Sequence, residues 1–212
     1  MIADRAGGRR VLADALTGRV DPAAAELGLR RRKDALVYRR NVADGFQRLV
    51  FDFELHPRYA KDSIVVQPYG EVAFPDVVAL ARKLDPPRHG VVVDFTLRFD
   101  VREYAVGSRR ELLVDGPEAA ADVAGWVGGL LRDRFGALFT ALSSPAAFVA
   151  WALGDRDGIG LGARGWIAVA AAQVTLGDAK GALATLEAHL DLDNPHNKEH
   201  VRAFDLVRAA AG

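Results

Sequence analysis

The chain reads as an α+β protein: an antiparallel sheet flanked by helices over residues 1–116, followed by an all-helical region over residues 117–212. Three observations predict this. Val91 to Val101 alternates strictly, with Val91, Val93, Phe95, Leu97, Phe99 and Val101 on one side and Val92, Asp94, Thr96, Arg98 and Asp100 on the other. Only an extended chain turns a period of two into one dry side and one wet side, so this stretch is expected as a central strand. Phe46 to Leu55 repeats the pattern, with Leu49, Phe51, Phe53 and Leu55 opposed to Arg48, Asp52 and Glu54. From Pro117 onward no strand pattern occurs. Strands grouped apart from helices argue α+β rather than an alternating parallel sheet.

In chain order, Val11, Leu12, Ala15 and Leu16 share one helical face, and Gly18 is placed to stop that helix. Asp21-Pro22 restarts one, with Asp21 as N-cap and Pro22 at the first helical position, and Gly28 ends it. Leu29 to Arg40 reads as a hairpin turning near Lys33-Asp34, with Leu36 and Tyr38 on one side. Asn41 to Gly45 has turn chemistry. Ser63 to Val72 is a further strand in which Pro68 marks an edge or a bulge. Pro75-Asp76 opens a short helix that Asp85-Pro86-Pro87 stops, and Glu111 to Val114 is a last short strand. A helix starts at Pro117, with a kink expected at Gly128-Gly129. Ser144-Pro145 starts the next. A glycine-rich loop runs to Gly165, and a helical hairpin spans 162–190 with Gly177 as C′ residue and Asp178 as cap. Asn194-Pro195 starts a final helix expected to bury Val201, Phe204, Leu206 and Val207.

Composition bounds the function. The 212 residues are 50% hydrophobic and 26% charged, ordinary for a globular chain able to bury a core. Formal net charge is zero, but residues 1–110 hold 20 basic and 15 acidic side chains, and residues 111–212 hold 8 and 13. Arg outnumbers Lys by 23 to 5, a GC-rich, actinobacterial kind of usage that weakens Arg content as a sign of nucleic-acid binding. Without cysteine there are no disulfides, thiolate metal sites or thiol nucleophile. The N-terminus lacks the apolar run of a secretion signal, and no stretch reaches the ~20 apolar residues a spanning helix needs. A bacterial cytoplasmic setting, with no membrane partner, is expected.

Leu27 to Pro75 resembles the bacterial domain-of-unknown-function family numbered 4304. The residues that carry the likeness are Gly28, Leu29, Arg30, Tyr38, Arg39, Gln47, Phe51 and Phe53. The resemblance implies an α+β fold and, through relatives found among polymorphic-toxin loci, an immunity-type role.

Three constellations carry candidate chemistry. His196-Asn197-Lys198-Glu199-His200 is an H-x-x-E-H. On a helix it places two imidazoles on one face, where they can share a metal ion. Only Asp205 follows as a carboxylate, so the further acidic ligand is missing and an exposed polar helix start is the favoured reading. Arg30, Arg31, Arg32, Lys33, Arg39 and Arg40 form a basic hairpin around Tyr38 that could grip phosphates. Strand alternation divides those charges over two faces. Asp52, Glu54, Asp94 and Asp100, with Arg48, Arg98 and Arg102, could gather on the wet side of the sheet, most simply as cross-strand ion pairs. Gly158-x-Gly160-x-Gly162 follows no strand and lacks the dinucleotide-binding spacing, and no serine sits in a nucleophile elbow. No cofactor is expected.

The leading expectation is a non-enzymatic protein-interaction module. The binding residues are then Arg30, Arg32, Tyr38, Arg39, Arg48, Asp52, Glu54, Asp94, Arg98 and Asp100. The alternative is a nucleic-acid-associated module using the hairpin 30–40. A metal-dependent hydrolase at His196 and His200 is the least favoured.

Overall fold

The computed structural model describes the chain except residues 1, 3, 33–34, 59, 87–93, 103–110, 155, 157–158 and 195–199. The first half forms an antiparallel sheet, and the second half is helical. The strands are β1 (Arg30–Arg31), β2 (Val37–Val42), β3 (Gly45–Leu55), β4 (Ile64–Ala73), β5 (Leu97–Asp100) and β6 (Leu112–Val114). Their order is β1-β2-β3-β4-β5, and β6 also pairs with β4.

The expectation of a central strand at Val91 to Val101 is corrected here. The strand is confined to Leu97–Asp100, lies last in the order, and neighbours β4 rather than the strand holding Phe51 and Phe53. Residues 91–93 lie outside the described residues. Alternation does hold where the strand forms, since Leu97 and Phe99 are buried and Arg98 is exposed. Alternation reports one dry side; it does not report how many neighbours a strand has. The central strands are β3 and β4, and β4 is buried at nearly every position, although on its wet side Gln67 is exposed and Tyr69 half-buried. Thr96 breaks the alternation because its hydroxyl oxygen accepts the Phe74 N–H at 3.0 Å.

The helices are α1 (Arg5–Arg19), α2 (Asp21–Glu26), α3 (Pro75–Leu84), α4 (Pro117–Leu130), α5 (Gly136–Ala141), α6 (Pro145–Leu153), α7 (Ala163–Thr175), α8 (Ala179–His189) and α9 (Val201–Ala211). Asp4 caps α1 by accepting the Gly7 N–H. That helix runs through Gly18, which does not stop it. Asp21 does not cap α2 with its side chain, because its carboxylate is engaged elsewhere. The expected kink at Gly128-Gly129 is replaced by a π-helical turn, Leu131–Phe135, in which the Gly136 N–H reaches back to Leu131 O. Gly128 serves packing instead: a Cβ there would lie 2.5 Å from Arg19 O. The caps Ser144 and Asp178 and the positive φ of Gly28 and Gly177 match the sequence reading.

Contacts group the chain into two compact units. The change of character at Pro117 is one of secondary structure; the contact units divide the chain elsewhere. One unit comprises Met1–Asn41, Gln47–Glu71 and Arg98–Thr140. In it, α1 and α4 pack together on the dry side of the sheet, where Gly8 meets Ile64 and Phe53. Phe99 stacks on Phe135 at 5.7 Å and meets Phe139 at 6.1 Å. Buried Gln47 donates to Phe139 O and accepts from Arg40 Nε, both at 2.6 Å.

The other unit comprises Val42–Phe46, Val72–Leu97 and Ala141–Gly212. In it, α7 is buried from Trp166 to Gln173 and packs on α3, α6 and α8. In α9, Phe204 and Val207 are buried but Val201 and Leu206 are exposed, against expectation. The apolar stripe of α9 is narrower than its composition suggests, because Ala203 supplies the third buried position. No single helix among the described residues is long and apolar enough to cross a membrane.

Candidate functional site: the open face of the sheet

The wet side of β1 to β5 is built in rows, and the register follows from a few hydrogen bonds. Arg30 pairs with Arg39. The Phe51 N–H donates to Leu36 O, and three residues further along each strand Arg39 stands opposite Arg48. The same count closes the Ala43-Asp44 turn, where Asp44 takes a φ of 61°. The His56 N–H donates to Ser63 O, and eight residues inward Arg48 stands opposite Glu71. Arg98 on β5 reaches the same glutamate.

Arg30, Arg39, Arg48 and Glu71 therefore stand abreast on four neighbouring strands, and Arg98 of the fifth joins the row through its ion pair with Glu71. Neighbouring strands lie ~4.8 Å apart, so the row is roughly 19 Å long. Glu71 is its anchor. The carboxylate is 1% exposed and lies between two guanidinium groups. Arg48 Nη2 approaches Oε2 at 2.7 Å, while Arg98 Nη2 and Nε reach Oε1 at 2.6 and 2.9 Å. A buried carboxylate is tolerated only when paired and hydrogen-bonded, and here two cations on adjoining strands do both. Arg98 also lies 4.4 Å from the Tyr69 ring centroid. Burial pushes the Tyr69 phenol above its ordinary value, so it stays a neutral hydroxyl.

The next positions along the strands carry Val37, Val50 and Tyr69, and beyond them Asp52, Gln67 and Glu54. Arg30, Arg39, Asp52, Glu54, Gln67 and Arg98 are exposed; Arg48, Val50 and Tyr69 are half-buried. The face thus runs from a basic row, through an aliphatic and aromatic strip, to an acidic end.

The chain matches no family model, no curated protein and no solved structure.

Several expected binding residues lie elsewhere. Tyr38 is 1% exposed and points to the dry side, where its hydroxyl donates to Asp21 Oδ1 at 2.5 Å. Arg31 closes on the same carboxylate, with Nε and Nη2 at 2.9 and 2.8 Å. Burial pushes the Asp21 carboxyl up. The hydrogen bonds from Arg31 and Tyr38 and the charge of Arg31 outweigh this and hold it below the usual range. Arg40 also turns inward, donating to Gln47 and to Leu27 O. The basic hairpin therefore divides as strand alternation requires: Arg31, Tyr38 and Arg40 serve the interior, while Arg30, Arg32 and Arg39 are exposed.

Asp100 binds Arg102 at 2.5 Å, and Asp94 is exposed ahead of β5, in the other compact unit. His200 is 3% exposed, with Nδ1 3.4 Å from Asp85 Oδ1. His196 lies outside the described residues. Among the described residues no group of three or more His, Cys, Asp or Glu side chains is placed to hold a metal ion.

Glu71 is the site residue that sequence reasoning missed. A signal for it existed: Gln67, Tyr69 and Glu71 are polar or amphipathic at every second position of a strand that is otherwise apolar.

Proposed function

We propose that the chain is a non-enzymatic protein-interaction module that meets its partner with the open face of the sheet. One observation carries this reading. The face presents arginines and a tyrosine, residue types enriched at protein interfaces, in ordered rows, with Arg30, Arg39 and Arg98 exposed and Tyr69 half-buried beside Val50. The other side of the same strands is buried under helices and has no surface left to offer. An immunity-type role is the specific form of the proposal and rests on the resemblance of Leu27 to Pro75 alone. The nucleic-acid reading of the hairpin draws less support, because Arg31, Tyr38 and Arg40 are spent on interior contacts.

The test is position-specific photocrosslinking in cells of the source organism. A crosslinker at Gln67, on the open face, is compared with one at Glu187, exposed on α8. The proposal expects a discrete protein adduct from Gln67 that is lost with Tyr69→Ala, and none from Glu187. Absence of any adduct from Gln67, or equal adducts from both positions, would end it.

A further inference from the structure

We infer that the partner segment seated on this face is acidic, and that the row Arg30, Arg39, Arg48 and Arg98 is what selects it. This rests on the reading of the open face as a protein-binding surface and adds the chemistry of what binds. Like charges directly opposite each other on adjoining strands destabilise a sheet, and this sheet sets Arg30 beside Arg39 and Arg39 beside Arg48. Four guanidinium groups and one carboxylate give the row a formal charge of 4 − 1 = +3 in a chain whose net charge is zero. A general excess of positive charge therefore does not account for the row. Arginine abundance scatters charge over a surface; this pattern repeats one residue type at one level on three strands and brings a fourth arginine to it through Glu71. Glu71 holds Arg48 and Arg98 in fixed positions from beneath, so two of the four groups are ordered before anything binds. Ordered guanidinium groups suit carboxylates, to which they can turn the N–H groups not directed at Glu71.

The rest of the face favours an acidic stretch of protein over a nucleic acid. A polyanion continuing past the row would meet Asp52 and Glu54, both exposed on the same face. The strip of Val37, Val50 and Tyr69 between the two ends offers apolar contact to a side chain, not to a phosphate. A segment bearing three or four acidic side chains, flanked by an apolar residue, fits the length of the row and the strip beside it.

The experiment uses the full chain and two labelled probes, a peptide of ten glutamates ending in leucine and an oligothymidylate of equal charge, read by fluorescence anisotropy at low salt. The acidic peptide is expected to bind, and Arg30→Glu with Arg39→Glu is expected to weaken it at least tenfold. The same charge change at Arg9 and Arg10, exposed on α1, is expected to weaken it no more than twofold. Arg30→Gln with Arg39→Gln, which removes charge without inverting it, should fall between; circular dichroism checks that each variant folds. No peptide binding, or equal loss from both pairs of substitutions, overturns the inference. Tighter binding of the oligonucleotide, lost with the row variant, overturns it in favour of a nucleic acid. The interaction reading is separable from this. A crosslinked partner at Gln67 that tolerates the row substitutions but not Tyr69→Ala leaves that reading standing and removes the acidic segment.

Discussion

Glu71 makes the sharpest single-residue prediction. Its carboxylate is buried and joined to two guanidinium groups, and breaking a buried ion pair by removing one partner costs about 3–5 kcal/mol. Arg98 is 45% exposed and can rehydrate, which discounts the figure. Glu71→Gln is therefore expected to lose ~2 kcal/mol in urea unfolding, and a loss below ~0.5 kcal/mol would show that the cluster is not what holds β3, β4 and β5 in register. Asp21 makes the pH prediction. Its folded-state pKa is held below the ordinary value, so its contribution is present above about pH 4 and is lost as pH falls through the folded value. The wild-type melting temperature should fall more between pH 5 and pH 3 than that of Asp21→Asn; parallel curves would refute the linkage. Both residues mark the limit of sequence reading. Asp21 before Pro22 has the signature of an N-cap, and only the tertiary arrival of Arg31 and Tyr38 diverts it. Arg48 and Arg98 were legible as wet-face residues, with Asp52, Glu54, Asp94 and Asp100 as the carboxylates expected beside them; Glu71 stands outside those alternating runs, and only the spacing of Gln67, Tyr69 and Glu71 marks its side.

At the scale of elements, β4 and β5 meet where a glycine faces an aromatic ring. A Cβ on Gly70 would lie 2.2 Å from Phe99 Cζ, and the ring cannot swing away because Phe135 and Phe139 enclose it. Gly70→Ala is expected to cost ~1–3 kcal/mol, as other overpacked cores do. Phe99→Leu should relieve part of that cost, so the double variant should be more stable than the two single losses summed. Strict additivity in a denaturant cycle would show that the contact is slack. Elements whose ends are set by local chemistry were legible: the Ser144 and Asp178 caps, the Gly28 and Gly177 ends, and a turn within Asn41 to Gly45, which closes at Ala43-Asp44 because Asn41, Val42 and Gly45 belong to the strands. Elements whose extent depends on neighbours were not. The alternation around Phe95 and Phe99 identified a strand but could not show that its register with β4 ends at Asp100. The π-helical turn at Leu131–Phe135 has no residue signature; it puts Phe135 against Phe99 about two turns after Gly128 has let α4 approach Arg19.

For the whole molecule, the question is whether net charge or its placement governs behaviour. The chain carries 28 basic and 28 acidic side chains and a pI near 7.0, so net charge alone predicts no preference for either sign of surface at pH 7. The basic side chains are nevertheless concentrated. The first 110 residues hold 20 of them, and four arginines form one row across the open face. A charged surface within a Debye length, ~10 Å at 0.1 M salt, responds to that local field rather than to the sum. The protein is therefore expected to be retained on a sulfonate cation exchanger at pH 7 and low salt. Arg30→Gln with Arg39→Gln should elute at clearly lower salt than Arg9→Gln with Arg10→Gln, although both pairs change net charge by the same amount. Equal shifts would mean that the exchanger reads total charge, and the arginine row would then have no field of its own with which to guide an acidic partner.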